Sequence, residues 1–429
     1  MSPIYLEKDT LVVRDGESFI VFSPFSQNIA RVWVNPREDA VLYGQLKATG
    51  FFQEPPQHTK QQQEWNGFTS LALFLTRGCN LGCRYCYAKA KPYAPGMSMP
   101  ADFALNSVDW FIHQLKKDVI RLTFHGGGEP TLEQETIRTV FDHVEICKGE
   151  KKAKYLITSN GTTPHKFLDW MMERGFGINF SVDGPPDIQN RNRPFADGSP
   201  SSFVVEDNIR YIVGRGYPLS VRMTYSAGDD ITRTLEYFSS LGIKGVHLEP
   251  LFPYGREYNM DSTEISRLSE PKISELLNGF LTAINVAKRL GIKLYNGHLA
   301  HFMRGTAYFC GAASGKVMMV THDGFLSSCI EVTDGKEAVA DHFIIGKWND
   351  GAGEFIVEEK KIATMLTRHP DGVLPACKDC FAKFTCAGGC AIKALHRTDN
   401  FFSKDNSYCA FTRAIVPEMV KRIASESNI

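Results

Sequence analysis

The chain has 429 residues, of which 43% are apolar and 22% are charged, and its 48 basic and 48 acidic side chains leave a formal net charge of zero. This balance is typical of a globular protein and provides no general attraction to nucleic acid or to an anionic membrane. The N-terminus lacks a signal peptide and no apolar run of about 18 residues is present, so we expect a cytoplasmic protein without nucleic-acid or membrane partners.

Residues 1–66 predict a small N-terminal β/α module. The runs "DTLVV" and "ESFIVFSP" flank "RDG", which is the pattern of a β-hairpin, and "EDAVLYGQLKATG" then predicts a helix. The polar segment "QEPPQHTKQQQEW" predicts a linker to the rest of the chain.

Residues 67–300 predict parallel β/α units arranged as a partial (β/α)6 TIM-like barrel. A helical pattern at 271–290 follows the last unit, and residues 301–429 predict a loop-rich, cysteine-rich domain that ends in a helix from Ala410. In barrels of this kind the chemistry lies at the carboxyl ends of the strands. The predicted strands are "SLALFLT", "VIRLTFH", "KYLITSN", "GINFSVD", "PLSVRMTY" and "GVHLEPL".

Eleven cysteines in a reducing compartment indicate metal binding rather than a disulfide framework. Cys79, Cys83 and Cys86 follow the first predicted barrel strand with the spacing C-x3-C-x2-C. Three thiolate ligands leave one coordination position free, which distinguishes a reactive site from a structural one. The alternatives are a zinc site that lacks a ligand and a chance cluster of thiols.

The segment "CNLGCRYC" resembles the CxxxCxxC signature of the radical SAM superfamily. The resemblance runs from about residue 69 to 255 and includes "GGEP", "TSNGT" and "SVDGPPDIQNRNRPFADGSPSSF", with Gln189 and Asn190 where His and Asp are common. It implies a [4Fe–4S] cluster that binds S-adenosylmethionine at its open iron. One electron, from a donor such as flavodoxin or ferredoxin, would then release a 5′-deoxyadenosyl radical that abstracts hydrogen from the substrate.

The resemblance also suggests residues for S-adenosylmethionine binding. Glu129 offers an acceptor for the amino group, beside glycines that allow close backbone approach. Arg222 offers a bidentate fork for the carboxylate. Short polar side chains suit the ribose hydroxyls or that carboxylate. The full predicted set is Tyr85, Gly127, Gly128, Glu129, Asn160, Ser181 and Arg222.

Seven further cysteines lie between Cys310 and Cys409. A zinc ribbon made from Cys377, Cys380, Cys386 and Cys390 is one alternative, but it leaves three cysteines without a function. The whole pattern resembles the SPASM extension of radical SAM enzymes, which implies two auxiliary [4Fe–4S] clusters and three clusters in total. By that resemblance, one set is Cys377, Cys380, Cys386 and Cys409, and the other is Cys310, Cys329 and Cys390.

The second set has three cysteines, so its cluster takes a non-cysteine ligand, such as Glu331 or Asp323, or keeps an open iron that could bind a substrate thiolate. Cys147 belongs to neither set. The catalytic acid or base is not identified by sequence. The candidates are Glu331, Glu249 and Tyr225, together with His247.

Enzymes with this extension act mostly on peptides or proteins. We therefore predict a peptide maturase that forms a thioether or carbon–carbon crosslink, with residues 1–66 either binding a leader segment or capping the barrel. An anaerobic sulfatase-maturating enzyme is the alternative, although Ile330 stands where those enzymes typically place Asp. A metal-binding scaffold without catalysis is a third possibility.

Overall fold

The computed structural model of the protein describes residues 4–5, 10–62, 64–94, 96–252 and 273–427. Residues 9, 63 and 271–272 lie outside the described residues. They belong to the predicted hairpin, the predicted linker and the helical pattern at 271–290. The strands are β1 Ile4–Tyr5, β2 Leu11–Asp15, β3 Ser18–Ser23, β4 Asn28–Val32, β5 Ser70–Phe74, β6 Gly78–Cys79, β7 Lys91–Pro92, β8 Val119–His125, β9 Lys152–Ser159, β10 Gly177–Ser181, β11 Leu219–Tyr225, β12 Gly245–Pro250, β13 Lys293–Tyr295, β14 Val317–Val320, β15 Phe325–Ser327, β16 Ile344–Asn349 and β17 Glu354–Val357.

The helices lie between and after these strands. Within the described residues, none is both long enough and apolar enough to cross a membrane. They span Ala40–Ala48, Ala101–Gln114, Gln134–Cys147, His165–Glu173, Pro186–Asn192, Ser202–Gly214, Ile231–Ser240, Ile273–Leu290, Gly297–Arg304, Ala340–Phe343, Glu359–Leu366, Lys383–Cys386, Ala391–Thr398 and Asn406–Glu426, with 3-10 turns at Gln57–Thr59, Pro130–Leu132 and Pro375–Cys377.

The N-terminal module is a four-stranded antiparallel sheet in the order β1-β2-β3-β4, followed by the helix Ala40–Ala48. The predicted hairpin (β2 and β3) and the predicted helix are confirmed, and β1 and β4 extend the sheet. Val12 and Val21 share a small apolar core with Leu46 of the helix. The other face of the sheet joins the main core, where Phe22 stacks on Phe302 at 5.4 Å between ring centroids.

The predicted linker is packed against the C-terminal region. Trp65 donates its indole N–H to the Gly315 carbonyl at 2.8 Å, and the backbone N–H of Gln62 donates to the Tyr308 hydroxyl at 2.9 Å. The described part of this segment therefore joins the module to the rest of the chain through specific contacts.

The central sheet has eleven strands in the order β13-β12-β11-β10-β9-β8-β5-β14-β15-β16-β17. The strands from β13 to β14 run parallel, which confirms all six predicted barrel strands. Side chains alternate along each strand. On β8, Ile120, Leu122 and Phe124 are buried, whereas Arg121 points to the opposite, inner face and is exposed.

The C-terminal region continues this sheet. Its strand β14 pairs in parallel with β5, and β15, β16 and β17 follow in antiparallel order. The predicted division of the chain at residues 66 and 300 remains a prediction, but the sheet itself is unbroken across the second boundary. The final helix begins at Asn406, four residues before the predicted start, because Asp405 caps it by accepting from the Ser407 and Tyr408 N–H groups.

Candidate active site

The three-cysteine loop leaves the carboxyl end of β5, as the sequence predicted. Burial raises the pKa of the Cys79 thiol, and the nearby Glu129, Cys83 and Cys86 raise it further. These effects show that the three thiols lie close together. The backbone N–H of Leu81 donates to Cys79 Sγ at 3.4 Å.

The glycine turn after β8 is bonded to the cysteine loop. The N–H groups of Gly128 and Glu129 donate to the carbonyls of Thr76 and Gly78, each at 2.9 Å. A Cβ at Gly128 would collide with the Gly78 carbonyl, and one at Gly127 would lie 3.0 Å from Thr333. The glycines are thus required for packing against the cysteine loop and the C-terminal region. Their predicted contact with S-adenosylmethionine remains a prediction.

Glu129 has a structural role at the strand ends. Its buried carboxylate accepts from the Thr131 N–H at 3.0 Å, the Thr131 hydroxyl at 2.6 Å and the Asn160 N–H at 2.6 Å, and also from the Ser159 hydroxyl. The side chain therefore joins the ends of β8 and β9. Its predicted contact with the amino group of S-adenosylmethionine remains a prediction.

Asn160 connects the end of β9 to the first cysteine. Its side-chain amide donates to Asn80 Oδ1 at 2.8 Å and lies 3.8 Å from Cys79 Sγ. Its side-chain oxygen accepts from the N–H and hydroxyl of Thr162. The residue positions the loop, and its predicted contact with the nucleotide remains a prediction.

A buried charge network surrounds the second cysteine. Arg193 pairs with Asp183 at 3.1 Å and also forms a hydrogen bond with the Cys83 thiol. Asp183 accepts further bonds from the Tyr85 hydroxyl and from the Thr224 N–H at 3.1 Å. Burial raises the pKa of Cys83 to about 11, and the positive charge of Arg193 opposes this effect.

Asp183 and Arg193 lie within a motif that the sequence shows, but their pairing beside Cys83 was not predicted. The signal was available, because Arg193 ends the "QNRNR" stretch that follows "SVDGP". The predicted cofactor residue Tyr85 is held in the same network, with the Arg193 guanidinium 5.2 Å from its ring centroid.

Three predicted side chains lie in one row on the inner face of the barrel. Ser181 on β10 is paired in register with Arg222 on β11, which is paired with His247 on β12. Arg222 also lies near His125, whose pKa burial lowers to about 4. Burial likewise lowers the pKa of His247 to about 4, again with a contribution from Arg222. This face of the barrel therefore carries one cation near two histidines whose pKa lies below the ordinary value.

The carboxylate candidate of β12 reaches the C-terminal region, but the tyrosine candidate does not face the cavity. Glu249 accepts a hydrogen bond from the Tyr408 hydroxyl, and burial raises its pKa. Tyr225 is buried in the core and donates to the Leu276 carbonyl at 3.0 Å. The prediction for Tyr225 was wrong because the alternation along β11 puts it on the face opposite Arg222.

Four C-terminal cysteines lie together as the SPASM resemblance implied. The pKa of the Cys386 thiol is raised by burial and then by Cys409, Cys377 and Cys380. Burial and the neighbouring Cys380 and Cys409 similarly raise the pKa of Cys377 to about 11. This grouping replaces the zinc-ribbon alternative, which used Cys390 instead of Cys409.

Cys390 lies beside the other set. Burial raises its pKa, and nearby Glu331 and Cys329 raise it further. Cys310 is influenced by Arg368 rather than by either of these thiols, so its place in the set remains a prediction. The alternative ligand Asp323 is held in its own turn by the Thr321 hydroxyl at 2.6 Å.

Arg368 joins the segments that carry the two sets, and sequence analysis missed it. The buried guanidinium donates to the carbonyls of Gly388, Gly389, Phe401 and Ser403 at 2.9–3.1 Å. These carbonyls flank Cys386, Cys390 and the start of the final helix. No local sequence pattern marks a side chain whose partners are all backbone atoms.

The cysteine sets fit [4Fe–4S] clusters better than single zinc ions. All eleven cysteines are free thiols. Among the described residues, no three cysteine Sγ atoms all lie within 4.8 Å of one another. Thiolates around one zinc ion would lie about 3.8 Å apart, as Zn–S bonds of about 2.3 Å require. Wider sets of three and four thiols suit a larger cluster.

Residues 73–258 match the family model described as the Radical SAM superfamily. The chain carries a radical SAM domain. The match covers the cysteine loop, the glycine turn and the Asp183–Arg193 network. A radical SAM domain implies one [4Fe–4S] cluster and S-adenosylmethionine as cofactors.

Similar proteins support the same fold for the radical SAM chain. A cysteine-type anaerobic sulfatase-maturating enzyme of Clostridium perfringens is 22% identical over 373 residues, which are 82% of this chain and 96% of that protein. The structure of native anSMEcpe with bound AdoMet and Kp18Cys peptide has a TM-score of 0.66 at 19% identity, covering 84% of this chain and 99% of that one. Streptococcus suis SuiB bound to precursor peptide SuiA has a TM-score of 0.52 at 14% identity, covering 94% and 99%.

Proposed function

We propose that this radical SAM enzyme forms a thioether or carbon–carbon crosslink in a ribosomally made peptide. The observation that carries the proposal is that the end of the three-cysteine loop lies near residues of the C-terminal region. Tyr87 directly follows Cys86, and it lies within electrostatic reach of Arg222 on β11 and of Glu331 and Cys329 in the C-terminal region. A substrate bound beside Tyr87 would contact both sets.

This arrangement supports an oxidation. A crosslink between two side chains removes two hydrogens, so the peptide loses two electrons. S-adenosylmethionine and its cluster, when bound, supply a radical that accounts for one hydrogen atom. The second electron needs an acceptor near the substrate. We assign this task to an auxiliary cluster that Cys310, Cys329 and Cys390 would bind. A second auxiliary cluster on the other four cysteines would pass the electron onward.

The inner face of the barrel suits the remaining tasks. We assign Arg222 to the carboxylate of S-adenosylmethionine, because a guanidinium binds a carboxylate bidentately and its row neighbour Ser181 offers a hydroxyl. We assign proton removal from the substrate to Glu249 on β12 or to Glu331 in the C-terminal region, which lie near each other and whose pKa burial raises.

Two partners complete the proposal. A flavodoxin or ferredoxin would supply the electron. The N-terminal module would bind a leader segment, because β4 is paired on only one side within the described sheet and a strand can add there. Packing of the module against the final helix also fits a structural cap.

Sulfatase maturation is the second candidate. The observation in its favour is the alignment with the Clostridium perfringens enzyme, which extends over 96% of that protein. Both candidates place a peptide in the same space and differ in the bond that forms.

One experiment separates the candidates. The anaerobically reconstituted enzyme receives S-adenosylmethionine, dithionite and either a cysteine-containing peptide encoded beside its gene or a sulfatase peptide. A crosslinked product lacks two hydrogens and does not react with an aldehyde reagent, whereas formylglycine does react. Release of 5′-deoxyadenosine with neither peptide altered would contradict both candidates, and no release would contradict radical chemistry itself.

A further inference from the structure

Cys147, the one cysteine outside the three-cysteine loop and the two C-terminal sets, lies in a compact group of metal-ligand side chains. The helices Ala101–Gln114 and Gln134–Cys147 bring together Asp109 from the first helix and His143 and Cys147 from the second. Cys147 Sγ is 3.7 Å from His143 Nε2, which is 2.6 Å from Asp109 Oδ1. All three ligand atoms lie within 4.8 Å of one another, and no other such group occurs in the described part of the chain.

The spacing fits a single ion. Zinc bonds of about 2.3 Å to sulfur and about 2.0–2.1 Å to nitrogen place tetrahedral ligand atoms about 3.5 Å apart. The observed separation of sulfur and nitrogen is close to this value. Asp109 would move by less than about 1 Å to replace its hydrogen bond with a metal bond. Its half-exposed side chain (52%) has room for that shift.

The surroundings favour a cation. His143 and Cys147 are four residues apart, so they share one helix face, and Cys147 is the last residue of the helix. The unpaired carbonyls at a helix C-terminus favour positive charge. A mixed set of sulfur, nitrogen and oxygen ligands is typical of zinc, whereas magnesium and calcium prefer oxygen.

We propose that Asp109, His143 and Cys147 bind one Zn²⁺ ion, with water in the fourth position. The site links two neighbouring helices on the outside of the barrel. It is separate from the three-cysteine loop and from the two C-terminal sets. Zinc binding stabilises the folded protein by an amount that increases with the logarithm of the free zinc concentration once this exceeds the dissociation constant. This inference does not depend on the proposed peptide chemistry.

The test uses the anaerobically reconstituted enzyme, one equivalent of zinc and removal of loosely held metal. Wild type should retain one more zinc per chain than Cys147→Ser, with an affinity at least about 100-fold higher. The zinc X-ray absorption edge, which is blind to iron, should show one sulfur ligand in wild type only. His143→Gln should behave like Cys147→Ser.

A matched control is His165→Gln. His165 forms a comparable exposed pair with Asp207 at 3.0 Å, outside this group, so its variant should retain zinc as wild type does. Iron content and 5′-deoxyadenosine formation should be unchanged in Cys147→Ser, which shows that it folds. Equal zinc in wild type and Cys147→Ser, or none in either, would overturn the proposal.

Discussion

Arg193 contacts the second cysteine of the three-cysteine loop, and its contacts define what it can do. It is held by Asp183, lies over the Tyr85 ring and forms a hydrogen bond with the Cys83 thiol. Hydrogen bonds to cysteine sulfur raise the reduction potential of iron–sulfur clusters. Arg193 would therefore make a cluster bound at this loop easier to reduce.

Arg193→Lys should lower the midpoint potential of the cluster at this loop. Lysine keeps the charge but loses the planar fork that serves the carboxylate and the thiol together. Losing one charge-assisted bond costs about 1.5–3 kcal/mol, or about tenfold or more in cofactor cleavage. Potentiometric electron paramagnetic resonance measures the shift. Arg191→Lys, at an exposed pair with Asp229, is the control, and equal potentials in both variants would contradict the assignment.

His247 predicts a defined pH dependence of stability. Its folded pKa is about 4, below the ordinary 6.5, because of burial beside Arg222. Between these values the unfolded chain binds a proton that the folded chain does not, so this contribution to stability is lost as pH falls from 6.5 towards 4. His247→Gln should reduce that slope. The measurement is the difference in unfolding temperature between variant and wild type across this range, and an unchanged difference would contradict the prediction.

At the scale of elements, strand positions were predictable and side-chain contacts across the fold were not. All six barrel strands followed from apolar runs that end in glycine or small polar residues. The orientation of Tyr225 required the phase of β11, because a shift of one residue reverses its face. The partners of Glu129 come from β9 and a turn, so no local pattern could show which strand ends its carboxylate joins.

Arg368→Lys should release the two C-terminal cysteine segments from each other. The four carbonyls that the guanidinium binds would lose most of their donors, at a cost of about 2–4 kcal/mol. We expect a lower unfolding temperature and loss of the iron bound by the C-terminal cysteines, with cofactor cleavage retained. Iron analysis and Mössbauer spectroscopy measure this. Arg289→Lys, at an exposed pair with Glu236, should leave the iron unchanged, and full iron in Arg368→Lys would refute the prediction.

At the scale of the molecule, substitutions in the three-cysteine loop and in the C-terminal cysteine region should affect different activities. Cys83→Ala should abolish 5′-deoxyadenosine formation while most of the C-terminal iron remains. Cys377→Ala should reduce peptide product more than cofactor cleavage, since its cluster would act after hydrogen abstraction. Chromatography of both products with iron analysis tests this. Equal losses in Cys377→Ala would indicate that the C-terminal region is only structural.

The molecule as a whole was predictable wherever residues close in sequence also act together. The CxxxCxxC loop and the strand-end motifs are local, and they located the radical SAM domain correctly. The pairing of β14 with β5 and the union of Cys409 with Cys377 depend on segments far apart in the chain. The cysteine spacing suggested that Cys409 lies with Cys377 only through the resemblance to the SPASM extension. It did not suggest that the C-terminal strands continue the barrel sheet.

The shared sheet also constrains how the chain is made. During synthesis, β5 gains β8 early but waits for β14 until most of the polypeptide has left the ribosome. Until then one edge of the nascent barrel presents open backbone groups beside the cysteine loop, and such edges promote aggregation. If iron is delivered after the complete polypeptide is made, β14 already covers the edge of β5. A truncated chain that ends near residue 300 would leave this edge of β5 exposed.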